Sequence, residues 1–268
     1  MKYAILALAI GCSSCTKAPA VDPVRNQPRI VSLNPCTDAI LAEVTAPGQL
    51  LAISHYSKDT TASSMHPDDA ARYPATSGTV EEVLALNPDI VVASTYLAPA
   101  THAALTDLGM RVVQVGGVES VEQSVAQIRE LAEVSGQAAK GEALIARIEQ
   151  SLEVLKADGG PETVLWQPGG IVAGEAALVS DLMRRAGLTS YAGKRAMSQA
   201  DYLSLEQVLA DPPQLLLVAG QGIGQRHRAL DQIDGMRRIT FDTRLIYCGG
   251  PSIIRAADRL AAIKAFRT

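Results

Sequence analysis

Four residues near the start of the chain have spacings that could support metal, redox or nucleophilic chemistry. Cys12 and Cys15 form a C-x-x-C pattern, which binds zinc when a second pair accompanies it. Ser14 and Lys17 form an S-x-x-K pattern, which supplies a serine nucleophile in some hydrolases. The sequence has no second C-x-x-C pattern, and both patterns lie in a segment that resembles an export leader. We therefore predict that neither pattern carries chemistry.

A glycine-rich run is the remaining enzyme-like motif. Gly220-Gln-Gly-Ile-Gly224 follows an apolar run as a dinucleotide-binding loop does, but Gln225 stands where that pattern has its final glycine. The sequence contains no G-x-S-x-G, no H-E-x-x-H and no phosphate-binding P-loop. We predict that the protein is not an enzyme and has no resident cofactor and no metal site of its own.

The composition indicates a globular chain and argues against nucleic-acid binding. Hydrophobic residues make up 47% and charged residues 19% of the 268 residues, so a sizeable core can form. Lys and Arg number 24 against 28 Asp and Glu, without a basic block, so no nucleic-acid partner is expected. Beyond the start of the chain no apolar run reaches the roughly 18 residues of a membrane span. We expect a monomer that touches the membrane only through a lipid anchor, if at all.

Residues 1–20 are typical of a secretory leader, with Met1-Lys2 followed by a short apolar stretch. Two processing sites remain open. Ala9-Ile-Gly-Cys12 resembles a lipobox, in which Cys12 would carry the lipid, and Ala18-Pro-Ala20 offers an ordinary cleavage site. Both alternatives predict export to the periplasm, with lipid anchoring in the first.

Short apolar runs bounded by Pro, Gly, Asn or Ser alternate with helical patterns along the rest of the chain. This alternation indicates buried parallel strands and an α/β fold. The predicted strands cover 29–33, 50–54, 89–93 and 111–115 in the first half, and 163–166, 214–218 and 244–247 in the second. We predict two similar Rossmann-like lobes, 29–118 and 161–268, with a ligand cleft between them.

One segment occurs twice. Thr79-Val-Glu-Glu-Val-Leu-Ala85 and Ser204-Leu-Glu-Gln-Val-Leu-Ala210 lie 125 positions apart, and each is followed by a proline and a predicted strand. Each predicts a helix whose first turn is closed by a capping box. The capping pairs are Thr79 with Glu82 and Ser204 with Gln207. Glu81 and Glu206 then point into solvent from the first turn, where the helix dipole favours a carboxylate.

The segment 119–158 between the lobes has a helical pattern that breaks at Ser135-Gly136. Its second part, 137–156, carries apolar residues close to helical spacing. Twenty helical residues at 1.5 Å each make a rod of about 30 Å. A rod joins two lobes more stiffly than extended strands do, so we predict a cleft that opens only slightly.

Several stretches resemble the substrate-binding proteins of ABC importers for cobalamin, haem and ferric siderophores, from about Arg29 to the C-terminus. They are Arg29-Ile-Val-Ser-Leu-Asn-Pro35, Ala52-Ile-Ser-His-Tyr-Ser57, the segment from Thr79 to Val92, Trp166-Gln-Pro-Gly-Gly170, the segment from Ser204 to Ala210, and Tyr247-Cys-Gly-Gly-Pro-Ser252. The resemblance implies two lobes joined by one long helix, and delivery of the captured ligand to a membrane permease with a cytoplasmic ATPase. It also implies that Glu81 and Glu206 dock into arginine pockets of that permease, one glutamate from each lobe.

In open α/β sheets, ligands bind beyond the carboxyl ends of the strands, so the residues at those ends are the candidate contacts. The candidates are Asn34, Cys36, His55, Tyr56, Tyr96, Trp166, Gln167, Tyr247 and Cys248, together with Tyr202 just before the second capping segment. Many of them are aromatic, as a large planar ligand requires. The resemblance aligns Tyr56 with a tyrosine that packs on a corrin ring. Two roles remain open for His55, which can be a polar residue in the wall of the cleft or a ligand of a haem iron or cobalt. For Trp166, Tyr96 and Tyr247, ordinary packing remains the alternative to ligand contact.

The side-chain types of these candidate residues favour some ligands over others. Cobalamin, with amide side chains and a large apolar face, suits Tyr, Trp, Asn and Gln, whereas anionic siderophores require several Arg or Lys. We expect cobalamin or a related corrinoid first and haem or a ferric siderophore second; an exported α/β enzyme is the alternative from a different class. Cys36 and Cys248 can pair in an oxidising compartment or stay as small buried thiols, and a bridge across the cleft opening would lock the lobes.

Overall fold

The computed structural model describes residues 27–61, 63–155 and 159–265. The first lobe is built on five strands: β1 (Ile30–Ser32), β2 (Leu50–Ser54), β3 (Ala75–Thr76), β4 (Ile90–Ser94) and β5 (Arg111–Val115). They form one sheet in the order β3-β2-β1-β4-β5, and every pairing is parallel. The carboxyl ends of these strands therefore lie along one edge of the sheet.

The second lobe repeats this plan with four strands: β6 (Glu162–Trp166), β7 (Thr189–Ser190), β8 (Leu215–Ala219) and β9 (Arg237–Phe241). Their order is β7-β6-β8-β9, again with parallel pairings throughout. The central strand β8 is buried along its whole length, as its unbroken apolar sequence predicts. The predicted α/β class with two parallel-sheet lobes is confirmed.

One predicted strand is wrong. Residues 244–247 do not form a strand; a 3₁₀ turn, Thr243–Leu245, occupies that position, and Asp242 closes it by accepting a hydrogen bond from the Arg244 amide at 2.9 Å. The last strand of the sheet is β9, which the sequence analysis missed. This edge strand has one exposed face, so exposed residues alternate with less exposed ones and its sequence shows no continuous apolar run.

Ten helices connect and cover the two sheets in the described part of the chain. They are α1 (Pro35–Val44), α2 (Pro67–Ala71), α3 (Val80–Leu86), α4 (Pro99–Asp107), α5 (Val121–Val134), α6 (Ala138–Leu152), α7 (Leu178–Arg185), α8 (Tyr191–Lys194), α9 (Leu205–Ala210) and α10 (Ser252–Ala265). The helices α1, α2 and α4 begin with proline, whose missing N–H would have no partner in the first turn of a helix.

The connection between the lobes is a helical hairpin. The predicted break falls at Gly136, whose φ of +68° suits glycine, and α6 then folds back along α5. Arg129 of α5 pairs with Glu142 of α6 at 2.8 Å, and the backbone at Gly141 lies so close to Ala132 that an added Cβ would be 2.5 Å from it. The predicted rod over 137–156 corresponds to α6, which is about 22 Å long at 1.5 Å per residue. Residues 156–158 lie outside the described residues.

A single hydrophobic cluster extends through both lobes and the hairpin. It contains Ile40 of α1, Ile128 of α5, Ile145 of α6, Leu165 of β6 and Leu260 of α10, each with at most 2% of its surface exposed. Because the C-terminal helix α10 packs on α6, the end of the chain returns to the junction between the lobes. This shared core restricts how the two sheets can move relative to each other.

Candidate functional site

Two of the predicted ligand contacts follow directly from strand β2. His55 and Tyr56 begin a 3₁₀ turn, and Tyr56 is 55% exposed although it is aromatic. The two rings lie with their centroids 4.1 Å apart, and the His55 Nδ1 atom is 3.3 Å from the Thr76 carbonyl oxygen. The ring pair therefore stands at the carboxyl edge of the first sheet with a face available to a ligand.

A buried carboxyl group beneath this turn holds it in place. Asp38 is completely buried, and its Oδ2 atom accepts hydrogen bonds from the Ser54 amide at 2.9 Å and the Ser57 hydroxyl at 2.6 Å. Its Oδ1 atom is buried without a partner in the described part of the chain. Burial raises the pKa of Asp38 to about 8, although the nearby Ser32 hydroxyl and the hydrogen bonds from Ser57 and Ser54 favour the charged form.

Asp38 is not among the site residues predicted from the sequence. The available signal is an acidic residue within the otherwise buried stretch of α1, where the neighbours Ala39, Ile40 and Leu41 are all in the core. A carboxyl group at such a position requires hydrogen-bond partners from elsewhere in the fold. Here they come from both ends of the turn that carries His55 and Tyr56.

Strand β4 places a third aromatic residue at the same edge. Tyr96 follows the strand, and its side chain is 92% exposed. The Tyr96 backbone N–H donates to the Ser94 hydroxyl at 3.1 Å, which fixes the turn and leaves the phenol ring exposed. Of the two interpretations left open by the sequence, ordinary strand-end packing does not describe this residue.

The cysteine pair forms a disulfide. Cys36, in the first turn of α1, is bonded to Cys248, which precedes α10, and their Cα atoms are 5.1 Å apart. The bridge lies where the segment before α10 meets α1, as the close approach of Gly250 to Ile40 shows. The sequence had left paired and free thiols open; with both sulfurs bonded, neither residue offers a thiol to a ligand.

Two other candidates have structural partners that account for them. Asn34 is the N-cap of α1 and accepts a hydrogen bond from the Cys36 amide at 2.9 Å. Trp166 is 2% exposed, and its indole N–H donates to the Leu203 carbonyl at 2.9 Å. The structure thus places Trp166 in the core of the second lobe, which was the alternative reading of this residue. Its neighbour Gln167 is partly exposed at the end of β6.

A pocket of about 310 Å³ lies between the lobes and contains two of the predicted tyrosines. Tyr96 comes from the first lobe and Tyr247 from the second, where it is 44% exposed. The other lining residues come from the segment before α5, from the start of α7 and from the loops at the end of the second lobe. They are Gly117, Val118, Glu119, Ala176, Ala177, Leu178, Val179, Gln199, Ile246 and Cys248. None of these residues is Arg or Lys.

Tyr202 lies elsewhere. It is 60% exposed and pairs through its backbone with Ile171, and its ring covers Gly170, where an added Cβ would be 2.5 Å from the ring edge. Tyr202 shares a pocket of about 240 Å³ with Glu206, at the carboxyl edge of the second sheet. The structure therefore groups Tyr202 with one of the predicted docking glutamates and not with the pocket that contains Tyr96 and Tyr247.

The duplicated segments form α3 and α9, and both acids are exposed in the first turn. The box is complete only in α9, where the Ser204 and Gln207 side chains each bond the other's backbone N–H. In α3, Thr79 caps the Glu82 amide, but the Glu82 carboxylate accepts from Thr76 and the Ser77 amide instead. The prediction of a second full capping box is therefore wrong, because β3 ends close enough to offer these alternative donors.

The charge state of Glu206 follows from its position on the helix. A hydrogen bond from its own backbone amide, with a second from the Ser204 hydroxyl, holds the pKa of Glu206 below its usual range. The carboxylate is therefore ionised at neutral pH. Leu84 and Leu209 lie three residues after Glu81 and Glu206 and are 47% and 37% exposed, so each lobe presents an acid beside a leucine.

Two other kinds of feature are absent from the described residues. No group of three or more His, Cys, Asp or Glu side chains among them is arranged to hold a metal ion. None of the described helices combines the length and apolar character needed to cross a membrane. Cys12, the predicted lipidation site, lies outside the described residues.

The chain matches a family profile described as "Periplasmic binding protein" over residues 30–241. A search of curated protein sequences found no match. Among solved structures, a periplasmic haem-binding protein from Pseudomonas aeruginosa is 20% identical with a TM-score of 0.67, over 88% of this chain and 92% of that chain. The periplasmic vitamin B12-binding protein of Vibrio cholerae is 17% identical with a TM-score of 0.70, over 90% and 99% of the two chains.

A third solved structure is an ABC transporter substrate-binding protein from Listeria monocytogenes, 17% identical, with a TM-score of 0.64 over 88% of this chain and 98% of that chain. At these identities the likeness concerns the fold. It agrees with the two parallel-sheet lobes and with the resemblance drawn from the sequence.

Proposed function

Because the chain belongs to the periplasmic binding protein family, we propose that it captures a large metal chelate between its lobes and delivers it to an ABC permease. A cobalamin-like corrinoid is the ligand that we place first. The observation that carries the proposal is the pocket between the lobes, to which each lobe contributes an exposed tyrosine, Tyr96 and Tyr247. We propose a binding role and no catalytic one.

The aromatic residues at the cleft support a ligand with an extended flat face. Tyr56 and Tyr96 both stand at the carboxyl edge of the first sheet, and Tyr247 comes from the other lobe. Aromatic side chains bury a large area against a planar ring system and keep a hydroxyl for hydrogen bonding. Because the pocket measures only about 310 Å³, we propose that it receives one part of the chelate while the rest lies between the tyrosines.

The charge of the pocket supports a ligand without exposed carboxylates. Its lining contains one acid, Glu119, one amide, Gln199, and neither Arg nor Lys. A catecholate siderophore, or the two propionates of haem, would face this lining without a cationic partner. The amide side chains of a corrinoid can instead donate to Glu119 and exchange hydrogen bonds with Gln199.

Haem is the second candidate, and one observation favours it. The phenol group of Tyr96 is almost fully exposed, and tyrosine oxygen is one of the protein ligands of haem iron. His55 is exposed as well, so a second candidate ligand stands at the same edge of the sheet. The low identities to the haem-binding and B12-binding structures do not separate the two ligands.

We propose that Glu81 and Glu206 dock the loaded protein onto the permease. One carboxylate projects from each lobe at the same helical position, and each has an exposed leucine one turn away. Carboxylates that meet arginines on a partner fix the orientation of docking and speed encounter. Family membership implies a periplasmic location, where such a partner lies in the adjacent membrane; lipidation of Cys12 would keep the protein near it.

A binding titration tests the ligand assignment. Purified protein is titrated with cyanocobalamin, cobinamide, haemin and a ferric siderophore, and binding is followed by calorimetry and by the ligand absorbance. We expect saturable one-to-one binding of the corrinoids, with weaker or no binding of the siderophore. Tight binding of haemin alone would change the proposed ligand from cobalamin to haem, and the proposal of a binding protein for metal chelates would still hold. Absence of binding by all four would overturn the proposal that the cleft holds a chelate of this kind.

A further inference from the structure

A second pocket, of about 250 Å³, lies at the junction of the first lobe with the helices α6 and α10. Its walls come from α1, from the loop and helix that include Ser64 and Arg72, from Arg147 of α6, and from Arg255 of α10. None of its lining residues belongs to the pocket that contains Tyr96 and Tyr247. It is therefore a separate site, to which the proposed chelate does not extend.

Three guanidinium groups line this pocket, and two of them have a carboxylate partner. Arg147 pairs with Glu43 at 2.9 Å, and Arg72 pairs with Asp69 at 3.0 Å. Arg255 donates to the Ser64 carbonyl oxygen and has no carboxylate within ion-pair distance in the described part of the chain. Among the Arg and carboxylate groups of the lining, three guanidinium groups face the two carboxylates of Glu43 and Asp69, which leaves one positive charge in excess.

Arg255 is also partly buried, so the lack of a carboxylate in direct contact among the described residues has an energetic consequence. Burial, together with the repulsion of the nearby Arg244, lowers the pKa of Arg255 from its ordinary value, although the attraction of Asp242 and Asp69 acts in the opposite direction. A half-buried guanidinium that donates to a single carbonyl oxygen among the described residues leaves donor capacity for an anionic group. An oxyanion can accept two hydrogen bonds from one guanidinium in the bidentate geometry that arginine favours.

Ser64 supplies a second, independent sign of a missing partner. Its side chain is 1% exposed, and its Oγ atom is buried without a hydrogen-bond partner in the described residues. The same residue lines the pocket beside Arg255. A buried hydroxyl without a partner costs free energy, and an anion in the pocket would accept a hydrogen bond from Ser64 once its side chain turns toward the pocket.

We propose that this junction pocket binds a small oxyanion, through the Arg255 guanidinium and the Ser64 hydroxyl. The volume suits an inorganic anion or a small carboxylate, and the shared chemistry is an anionic group with at least two acceptor oxygens. Apolar side chains of Ala39, Met65 and Ile254 close the remaining walls. Because the anion contacts α10 and the first lobe together, its binding stabilises the junction between the lobes.

The test uses the full mature chain, with inorganic phosphate, sulfate and succinate as separate ligands at constant ionic strength set by NaCl. Binding is measured by calorimetry and by the ligand dependence of the melting temperature. We expect saturable binding of at least one anion and at least a tenfold loss of its affinity in Arg255→Gln. The matched control is Arg259→Gln, one turn further along α10, whose guanidinium donates to the Thr240 carbonyl and does not line the pocket.

A second variant keeps the test decisive if Arg255→Gln does not fold. Ser64→Ala removes one hydroxyl and should lower the affinity for the same anion at least threefold. Arg255→Lys keeps the charge but not the bidentate geometry, so its affinity should lie between those of wild type and Arg255→Gln. Comparison of phosphate and sulfate with succinate distinguishes a tetrahedral anion from a carboxylate. Saturable binding by none of the three anions, or equal binding by wild type, Arg255→Gln and Ser64→Ala, would overturn the proposal.

Discussion

Cys36 and Cys248 are separated by 212 positions in the chain, yet a disulfide joins them with their Cα atoms 5.1 Å apart. Cys36 begins the first helix of the first lobe, and Cys248 lies in the wall of the pocket between the lobes. The bond therefore connects the two halves beside the proposed ligand cleft. It adds a covalent restraint to the shared hydrophobic core and to the α5–α6 hairpin.

Removal of this disulfide should destabilise the folded protein. The double variant Cys36→Ser with Cys248→Ser releases a very long loop in the unfolded chain, and the chain-entropy model sets the loss at up to about 5 kcal/mol. Chemical denaturation of the oxidised protein, the reduced protein and the double variant measures this change. The double variant should not respond to reductant. An unchanged midpoint for the reduced wild type would contradict the prediction.

The stability of the protein should fall as the pH rises from about 4 to about 8 because of Asp38. Its pKa is about 8 in the folded state and near 3.8 in the unfolded chain, so the folded state binds the proton more tightly within that interval. This group alone would lower the free energy of unfolding by about 3 kcal/mol between pH 5 and pH 7.5.

The variant Asp38→Asn isolates that effect. An amide has nearly the shape of the protonated acid and does not ionise, so the pH dependence over this interval should flatten. Urea unfolding at pH 5 and pH 7.5 gives the comparison, and Asp59→Asn, at an exposed acid of the same lobe, is the control. If wild type and Asp38→Asn show the same change in stability with pH, Asp38 does not bind a proton in this range.

Substitution at Tyr96 should separate the two candidate chelates. For a corrinoid, Tyr96→Ala should weaken binding about tenfold, equivalent to about 1.4 kcal/mol, while Tyr96→Phe, which keeps the ring, should change affinity little. For haem coordinated by this tyrosine, Tyr96→Phe should remove the iron–phenolate absorbance as completely as Tyr96→Ala does. Equal affinity of wild type and Tyr96→Ala for every ligand tested would exclude this residue from the site.

The paired glutamates should affect transport without affecting capture. Glu81→Ala combined with Glu206→Ala should leave ligand affinity unchanged and reduce permease-dependent uptake about tenfold, because both docking charges are lost. Glu130→Ala with Glu149→Ala, two exposed acids of the hairpin, is the matched control. A loss of ligand affinity in the Glu81 and Glu206 variant would place these acids in the ligand pocket and contradict the docking role.

The two exposed leucines give a further prediction for the same surface. Leu84→Ala with Leu209→Ala should reduce uptake and change the free energy of unfolding by no more than about 0.5 kcal/mol at each site, as expected for exposed positions. The loss should persist at high salt, whereas the contribution of the glutamates should shrink because salt screens charge pairs. Unchanged uptake by the leucine variant would limit docking to the charges.

The sequence was sufficient to predict those features whose stabilising residues are neighbours along the chain. The apolar runs around Val91 and Leu216 predict buried parallel strands because both faces of such strands are covered. The hydroxyl at Ser204 and the amide at Gln207 predict the helix start of α9 because both partners lie within four residues. The break at Gly136 is equally local, since the backbone turns there through a conformation that suits glycine.

Only the tertiary structure decided which distant groups meet. The Asp38 carboxyl accepts a hydrogen bond from the turn that follows β2, and the Trp166 indole donates to the Leu203 carbonyl oxygen. Cys36 forms a disulfide with Cys248. The Glu82 carboxylate accepts from the Thr76 hydroxyl and not from the backbone N–H of the helix cap. In each case the partner lies outside the segment, and periodicity and capping describe only neighbours along the chain. The sequence by itself determined the two α/β lobes and the positions of the paired glutamates. The packing of the lobes decided which tyrosines share a pocket. The tyrosines of that pocket come from different lobes, and their distance depends on how the two sheets pack against the α5–α6 hairpin.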